Sequence, residues 1–201
     1  MSETGTEIET PHGPARVYRH EAERPRALLQ LGHGAGGGFG APDLIAATEA
    51  ALAAGVSVAQ VEQPYRVAGR RAPAPARQLD AAWLAVAGQL RGDELPMLFG
   101  GRSSGARVAC RTAAEGGAAA VLCLAFPEHP PGKPERSRQE ELDGVEVPAL
   151  VVQGERDPFG RPVARGRTEL ATLAGDHSLK ADTAGVARVI GEWLERTLPV
   201  L

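Results

Sequence analysis

The sequence predicts a three-layer α/β/α sandwich built on a mostly parallel sheet, with an antiparallel hairpin at its N-terminal end. Strand-like and helical segments alternate along most of the chain, which is the order of a parallel sheet covered by helices on both faces. Several strand-like segments are continuous apolar runs, as expected of strands buried on both sides. The 201 residues contain neither a repeat nor a linker, so we expect a single domain over residues 1–201.

The first elements follow from turn residues and apolar runs. Two short alternating segments, 7–9 and 15–18, flank Pro11-His12-Gly13-Pro14 and predict a β-hairpin. Residues 27–31 are a compact apolar run closed by a glycine-rich loop, and they predict a strand. We expect a helix over 42–54 because proline stands in its first turn and glycine just past its end.

Apolar runs and periodicity predict the later elements. We expect buried strands at 56–61, 95–99, 119–126 and 148–153. A helix after the proline- and arginine-rich loop 63–76 has one apolar face, formed by Leu79, Trp83, Val86 and Leu90. Further helices are expected at 104–114 and near the end of the loop 127–143.

The last two elements are a strand and a helix. Residues 168–173 fit either a strand or the end of a short helix, and we favour a strand. The terminal stretch carries apolar residues at i, i+3, i+4, i+7 and i+8, which predicts an amphipathic helix opened by Asp182 or Thr183.

The composition excludes several classes of protein. Apolar residues make up 43% of the chain and aromatic residues only 4%, so the core must consist mainly of Ala, Val and Leu. A net charge of -3 gives no argument for a nucleic-acid partner, and no apolar stretch is long enough to cross a membrane. The acidic N-terminal residues do not form a secretory signal. We expect a cytoplasmic protein in which Cys110 and Cys123 are reduced and buried.

One turn carries the strongest functional signal. The predicted strand 95–99 runs into Gly101-Arg102-Ser103-Ser104-Gly105, a G-x-S-x-G at a strand-to-helix turn. The turn is so sharp that side chains two residues on either side of the serine would collide, which favours glycine at both places. It would hold the Ser103 hydroxyl above the sheet and leave the N–H of Ser104 at a helix N-terminus, where an oxyanion is stabilised. Alone, the motif also fits an ordinary glycine- and serine-rich turn.

Two further residues complete a catalytic set. Asp157 follows the predicted strand 148–153 and His177 follows the last strand. We expect both near Ser103, because the C-terminal ends of parallel strands share one edge of a sheet. A serine hydroxyl is too weak an acid to attack a carbonyl unaided, so His177 would accept its proton and Asp157 would fix the imidazole tautomer. The second oxyanion donor should be the N–H of Ala35, after the first parallel strand.

Other residues compete for these roles. Glu155 or Asp176 could be the acid, and His129 could be the base, but it follows a different strand. His33 is more simply explained as a residue that organises the glycine-rich loop. Arg102, inside the serine turn, is expected to be buried and paired rather than in contact with substrate.

A second motif resembles a dinucleotide-binding fingerprint. Gly36-Gly37-Gly38-Phe39-Gly40-Ala41 fits G-x-G-x-x-A, and Glu62 follows about 20 residues later. In that fingerprint the helix opens within the motif, whereas Pro42 marks a helix start after it. No P-loop sequence and no histidine–cysteine cluster is present. We therefore expect neither a cofactor nor a metal.

Five motifs in order give the chain its resemblance to a known family. They are Leu31-Gly32-His33-Gly34-Ala35-Gly36, the segment 100–105, Phe126-Pro127-Glu128-His129-Pro130-Pro131-Gly132-Lys133-Pro134, Gln153-Gly154-Glu155-Arg156-Asp157, and Gly175-Asp176-His177-Ser178-Leu179. Together they resemble the α/β-hydrolase superfamily, close to dienelactone-hydrolase-like enzymes. More narrowly, the chain looks like the small lid-less branch that includes the testis-expressed hydrolase-like proteins and the hydrolase-like domain of a subunit of the NSL histone acetyltransferase complex.

The resemblance covers about residues 27–198 and implies the α/β-hydrolase fold with Ser103, Asp157 and His177 as its triad. Some relatives in this branch are structural parts of chromatin complexes. The chain departs from the larger fold at 159–167, which is too short for the helix usually found between the acid strand and the last strand.

These observations predict a serine hydrolase that cleaves an ester or thioester through an acyl-enzyme on Ser103, with a small-molecule acyl substrate as its partner. The alternative is a catalytically silent binding or scaffold protein. Basic residues of the two long loops allow an anionic substrate, although a solvated charged face is the simpler explanation. These residues are Arg66, Arg70, Arg71, Lys133, Arg136 and Arg138.

Overall fold

The computed structural model describes residues 5–92 and 95–200, so the first four residues of the acidic N-terminal segment lie outside it. One sheet contains eight strands in the order β1-β2-β4-β3-β5-β6-β7-β8. The strands are β1 (Thr6–Ile8), β2 (Ala15–His20), β3 (Ala27–Gly32), β4 (Val56–Glu62), β5 (Met97–Arg102), β6 (Ala120–Leu124), β7 (Ala149–Gly154) and β8 (Thr168–Leu173).

The sheet is antiparallel at its N-terminal edge and parallel elsewhere. β1 pairs with β2 and β2 with β4 in antiparallel register, which confirms the predicted hairpin and adds it to the edge of the main sheet. From β4 across to β8 every neighbouring pair is parallel. The C-terminal ends of β3, β4, β5, β6, β7 and β8 therefore meet at one edge.

Helices cover both faces of the sheet, as predicted. They are α1 (Pro42–Ala53), α2 (Pro64–Val67), α3 (Ala76–Leu90), α4 (Ser104–Thr112), α5 (Gln139–Asp143) and α6 (Thr183–Thr197). On one face α1 and α6 bury Leu44 and Trp193 against the sheet. On the other face lie α3 and α4, and Trp83 of α3 is buried there with its ring edge-on to Phe99 at 5.5 Å between centroids. The result is the expected three-layer sandwich.

Three elements differ from the sequence-based expectation. The strand expected at 119–126 occupies Ala120–Leu124, because Ala125 has a φ of 48° and leaves the extended conformation. The strand expected at 95–99 occupies Met97–Arg102, because Pro96 cannot donate a ladder hydrogen bond and the pairing with β3 continues to Gly101. The short helix α2 stands where only a loop was expected. It begins with Pro64 at its first position, a residue that suits a helix start.

The C-terminal third follows the prediction closely. Thr168–Leu173 is a strand and pairs with β7 along its whole length, and the segment 159–167 contains no helix. Of the two expected openings of α6, Asp182 is the N-cap, and its side chain accepts the N–H of Gly185 at 2.8 Å. In the described part of the chain, none of the helices is long and apolar enough to cross a membrane.

The two cysteines lie where α4 packs on β6. Both thiols are free and buried, and their sulfur atoms are 3.4 Å apart. The hydrogen bond with Cys123, together with burial, raises the pKa of the Cys110 thiol well above its ordinary value. This arrangement agrees with the expectation of buried, reduced thiols.

Candidate active site

Ser103 occupies a strained turn between β5 and α4. Its φ is 53° and its ψ is -109°, a conformation that residues with side chains rarely adopt. A methyl group on Gly101 would lie 2.5 Å from the carbonyl carbon of Gly105, and one on Gly105 would lie 2.7 Å from the carbonyl oxygen of Gly32. The first glycine therefore permits the turn itself, while the second permits α4 to approach β3. The turn is fixed further by a hydrogen bond from the Ser103 N–H to the Leu124 carbonyl at 2.9 Å.

The structure brings Ser103, His177 and Asp157 into one hydrogen-bonded chain. His177 Nε2 is 2.9 Å from Ser103 Oγ, and His177 Nδ1 is 2.8 Å from Asp157 Oδ2. A neutral imidazole has one donor and one acceptor. Since an ionised Asp157 can only accept, Nδ1 carries the proton and Nε2 is free to accept the serine proton.

Asp157 and His177 are sheltered from solvent to different degrees. The Asp157 side chain is 0% exposed, and that of His177 is 15% exposed. The Phe159 ring covers the imidazole with 4.3 Å between ring centroids, and the Phe159 N–H donates to Asp157 Oδ1 at 2.9 Å. We did not predict this role for Phe159 from the sequence, because the residue lies beyond the end of the motif Gln153–Asp157.

The competing residues make other contacts. Asp176 is exposed and accepts hydrogen bonds from the backbone and side chain of Ser178, which lower the pKa of its carboxyl group. Glu155 is exposed and pairs with Arg156. His129 Nδ1 lies 2.9 Å from the Pro130 carbonyl oxygen. Among the described residues, Ser103 Oγ has its hydrogen bond with His177.

His33 organises the loop after β3. Its Nε2 accepts the Gln63 N–H at 3.1 Å, so its Nδ1 carries the proton and donates to the Gly34 carbonyl at 2.7 Å. Burial lowers the pKa of His33, against the opposing effect of the Gly34 hydrogen bond. The imidazole is therefore a neutral structural link between this loop and the end of β4.

The loop presents the Ala35 backbone close to the serine turn. The Gly34 carbonyl also accepts the Gly37 N–H at 2.9 Å, and because a peptide unit is planar, this fixes the direction of the Ala35 N–H. The loop is close to the serine, since a methyl group on Gly34 would lie 3.7 Å from Ser103 Cβ, which is van der Waals contact. The N–H groups of Ala35 and Ser104 have no acceptor among the described residues, which leaves both available to a bound oxygen atom.

Tyr65 gives the loop a second support that the sequence did not reveal. Its hydroxyl donates to the Ala35 carbonyl at 3.0 Å, and its ring stands edge-on to His33. Tyr65 belongs to α2, the helix that was predicted as loop. The sequence did contain one indication of this helix, a proline at position 64 shortly after a predicted strand.

Arg102 is paired, as predicted, and its partner is a buried carboxylate. Arg102 Nε donates to Asp43 Oδ2 at 2.8 Å, and Nη2 donates to the His177 carbonyl at 3.1 Å. The Asp43 side chain is 0% exposed, and burial raises the pKa of its carboxyl group while Arg102 opposes that rise. The pair links the serine turn, the start of α1 and the His177 loop. Asp43 was missed because an acidic residue in a first helical turn is usually explained by the helix dipole.

The basic residues of the two long loops have different surroundings. Arg66 lies against the glycine-rich loop, since a methyl group on Gly37 would be 2.7 Å from Arg66 Cζ. Arg138 donates to the Pro127 carbonyl at 3.4 Å. The exposed members of the set are Arg70, Arg71, Lys133 and Arg136.

The glycine-rich motif differs from a dinucleotide site in its placement. β3 ends at Gly32 and α1 begins at Pro42, so the helix opens after the segment 36–41, whose last residue Ala41 is the N-cap of α1, and not within the motif. Within the described ranges, no group of three or more His, Cys, Asp or Glu side chains could hold a metal ion.

Comparison with known proteins identifies the same architecture. A family model described as an alpha/beta hydrolase domain matches residues 25–186. A search of curated proteins finds no significant match.

Solved structures resemble the chain over nearly its whole length. A lid-less α/β serine hydrolase from Xanthomonas campestris is 21% identical with a TM-score of 0.77, over 99% of this chain and 97% of that one. Est1E from Butyrivibrio proteoclasticus is 15% identical with a TM-score of 0.79, over 97% and 99%. A dienelactone hydrolase from Anabaena variabilis is 15% identical with a TM-score of 0.77, over 98% of each chain. At these low sequence identities, the similarity to the three structures shows that the chain shares their fold and no more than that.

Proposed function

Since the chain belongs to the alpha/beta hydrolase family, we propose that it is a serine hydrolase that cleaves ester or thioester bonds through an acyl-enzyme on Ser103. The observation that carries the proposal is the unbroken hydrogen-bond chain from Ser103 Oγ through His177 to Asp157, with distances of 2.9 and 2.8 Å. A buried acid, an oriented imidazole and a hydroxyl on a strained turn are the groups that acyl transfer requires.

The first half-reaction forms the acyl-enzyme. Ser103 Oγ attacks the carbonyl carbon of the substrate while His177 Nε2 takes the hydroxyl proton. Asp157 stabilises the imidazolium that results, since Oδ2 accepts the Nδ1–H. As the tetrahedral intermediate collapses, the bond to the leaving alkoxide or thiolate breaks, and Nε2 returns its proton to that group.

The second half-reaction regenerates the serine. A water molecule gives its proton to His177 Nε2 and attacks the acyl carbon, and the acid product leaves as Ser103 recovers the proton. In both halves, the N–H groups of Ala35 and Ser104 would stabilise the negative charge on the carbonyl oxygen. One donor of this kind typically lowers the barrier by about 3 kcal/mol.

Covalent labelling tests the proposal without knowledge of the substrate. We expect a fluorophosphonate probe to label the folded protein at Ser103, and Ser103→Ala to abolish the labelling while leaving the melting temperature close to that of the native protein. Ser104→Ala is the matched control, because it removes the neighbouring hydroxyl and keeps the backbone N–H. Absence of labelling, or equal labelling of Ser103→Ala, would favour the alternative of a silent binding or scaffold protein.

The substrate class is the finer part of the proposal. Arg66 lies against the loop that carries Ala35, and its Nε is buried without a hydrogen-bond partner among the described residues. The residue as a whole is only partly buried, and a carboxylate on the acyl group would pair with its guanidinium. We therefore propose an anionic acyl substrate, tested by hydrolysis of neutral and carboxylate-bearing esters of matched length. Arg66→Gln should remove a preference for the charged ester, whereas the exposed Arg71→Gln should retain it.

The motifs also support placement in the small lid-less branch of the family. Between β6 and β7 the described residues form one helix, the five-residue α5, whose Glu141 pairs with Arg107 of α4, so this connection has no long helix to serve as a lid. The neighbour from Xanthomonas campestris is described as a serine hydrolase without a lid. Kinship with the testis-expressed and NSL-subunit proteins rests on the five motifs and stays a proposal.

A further inference from the structure

Gln153 lies directly beneath the acid of the proposed triad. It is the last residue but one of β7, and its side chain is 0% exposed. Its Nε2 is 2.9 Å from Asp157 Oδ2, 2.9 Å from the Gly160 carbonyl oxygen and 3.1 Å from the Phe126 carbonyl oxygen. All three neighbours are acceptors, so the amide must direct its NH2 group towards them.

The other end of the amide is unsatisfied. Gln153 Oε1 is buried and has no hydrogen-bond partner among the described residues. A buried oxygen without a partner is unfavourable, and a leucine would fill the same volume without one. Packing alone therefore does not explain why this residue is a glutamine. The hydrogen-bond contacts of its Nε2 explain it.

Gln153 donates a hydrogen bond to the same Asp157 oxygen that accepts the hydrogen bond from the His177 imidazole. Oδ2 accepts both the Gln153 amide N–H and the Nδ1–H of His177, while Oδ1 accepts the Phe159 N–H. With one donor on Oδ1 and two on Oδ2, the carboxylate cannot rotate about its Cβ–Cγ bond without losing hydrogen bonds. Through its contact with the Phe126 carbonyl oxygen, the Gln153 amide also links the turn that carries Asp157 to the residues just after β6.

We propose that Gln153 is a positioning residue, which holds Asp157 Oδ2 against His177 Nδ1 and so keeps the imidazole in the tautomer that can accept the Ser103 proton. The role rests on the proposed hydrolase function. Gln153 does not reach the substrate, so its contribution should appear in kcat rather than in KM.

The test compares two replacements with a matched control. Gln153→Leu removes the donor, and Gln153→Glu offers a donor only while the introduced carboxyl group is protonated. The control is Gln30→Leu, because Gln30 is also a fully buried strand residue whose Nε2 donates to a carbonyl, that of Trp83 at 3.0 Å, and whose Oε1 lacks a partner. Hydrolysis of p-nitrophenyl acetate and the rate of fluorophosphonate labelling are measured for each, with melting temperatures to show that each is folded.

We expect Gln153→Leu to lower kcat by about 10- to 100-fold, the usual effect of losing a partner that orients a reacting group, with KM changed less than about twofold. Relative to the native protein at the same pH, Gln153→Glu should be most active at low pH and lose activity as the pH rises, because two carboxylates then face each other beside the imidazole. Gln30→Leu should keep the native kcat and pH profile. Native-like kcat in Gln153→Leu, or an equal loss in Gln30→Leu, would overturn the proposal.

A readout without turnover separates this inference from the proposed function. The 15N chemical shifts of the His177 ring report its tautomer, and we expect an Nδ1–H tautomer in the native protein and a mixture in Gln153→Leu. If the native protein neither labels nor hydrolyses ester, the hydrolase function fails, and the tautomer measurement still decides whether Gln153 orients the imidazole. Identical ring shifts in the two proteins would refute that role.

Discussion

At the scale of single residues, hydrogen-bond partners distinguish the two histidines near Ser103. His177 has an acceptor on Nδ1 and a hydroxyl on Nε2, whereas His33 has a backbone N–H on Nε2 and a carbonyl on Nδ1. A neutral imidazole at either place carries its proton on Nδ1, but only His177 has its Nε2 directed at a hydroxyl. Under the proposed function, that difference gives the proton transfer to His177 and leaves a structural role to His33.

The first prediction concerns the acid. Asp157→Asn would place an amide opposite His177 Nδ1 and favour the wrong tautomer, since the amide NH2 can donate to Nδ1. We expect kcat for ester hydrolysis to fall by roughly 10³- to 10⁴-fold, as for the comparable change in serine proteases. Fluorophosphonate labelling kinetics provide a second measure. Asp176→Asn, in the exposed neighbouring position, should retain the native rate, and an equal loss there would shift the acid role to Asp176.

The second prediction concerns the charge pair behind the serine turn. Arg102→Met would leave the Asp43 carboxylate buried without its cation, which typically costs about 3–5 kcal/mol of unfolding free energy. Arg102→Met/Asp43→Asn should recover most of that loss, because the buried charge is gone. Urea unfolding measures both. Equal stability of the single and double variants would contradict the assignment.

A control for this pair is available between α3 and α4. Arg111 pairs with Asp80 and Glu141, whose side chains are 22% and 19% exposed. Since water can reach both carboxylates, Arg111→Met should cost only about 1 kcal/mol. It should also leave the labelling of Ser103 unchanged.

The central element of the site is the strand–turn–helix unit formed by β5 and α4. Its geometry depends on two close approaches, that of Gly101 to the backbone of Gly105 and that of Gly105 to the backbone of β3. Both involve main-chain atoms, which cannot move aside as a side chain can. The position of Ser103 is therefore set by the packing of a helix on a sheet.

The third prediction follows from that packing. Gly101→Ala should destabilise the protein by about 1–3 kcal/mol, the usual cost of overpacking, and should slow labelling of Ser103 by shifting the turn. Gly88→Ala is the contrasting variant, since a methyl group on this exposed α3 residue meets nothing within 4 Å. It should stabilise the helix by about 0.5–1 kcal/mol. Melting temperatures and labelling rates distinguish the two, and unimpaired labelling of Gly101→Ala would contradict the packing argument.

Most elements could be predicted because their signals are local. The apolar runs of β3, β6 and β7 and the glycine spacing around Ser103 are visible in a few neighbouring residues. The supports of the site were not predictable in the same way. Tyr65 reaches Ala35 across 30 residues and Arg102 reaches Asp43 across 59, and such contacts depend on the three-dimensional order of the strands, which no short pattern contains.

At the scale of the whole molecule, strand order assembles the site. β3, β5, β6 and β7 are successive neighbours in the sheet, and β8 closes its edge. The loop after β8 brings His177 back over β5, within 2.9 Å of a serine 74 residues earlier. The short segment 159–167 does not prevent this, because β8 pairs with β7 over six residues and needs no intervening helix to fix its register.

The fourth prediction concerns how the stability of the whole molecule changes with pH. Burial lowers the pKa of His33 from its ordinary value of 6.5, and the charge of Arg66 acts in the same direction while Gly34 and Glu62 oppose it. Below pH 6.5 the unfolded chain binds a proton at this position that the folded chain does not, so the free energy of unfolding should fall as the pH is lowered.

One proton of difference corresponds to a slope of at most about 1.4 kcal/mol per pH unit. His33→Gln keeps an acceptor for the Gln63 N–H and cannot titrate, so its unfolding free energy should fall less steeply between pH 6.5 and 5, as measured by urea denaturation. His12→Gln should behave like the native protein, because His12 is exposed and its surroundings change little on unfolding. Parallel curves for the native protein and His33→Gln would show that the buried imidazole does not govern the acid sensitivity of the fold. A shallower curve for His33→Gln would mean that the histidine that holds the Ala35 loop also contributes to the acid sensitivity of the whole fold.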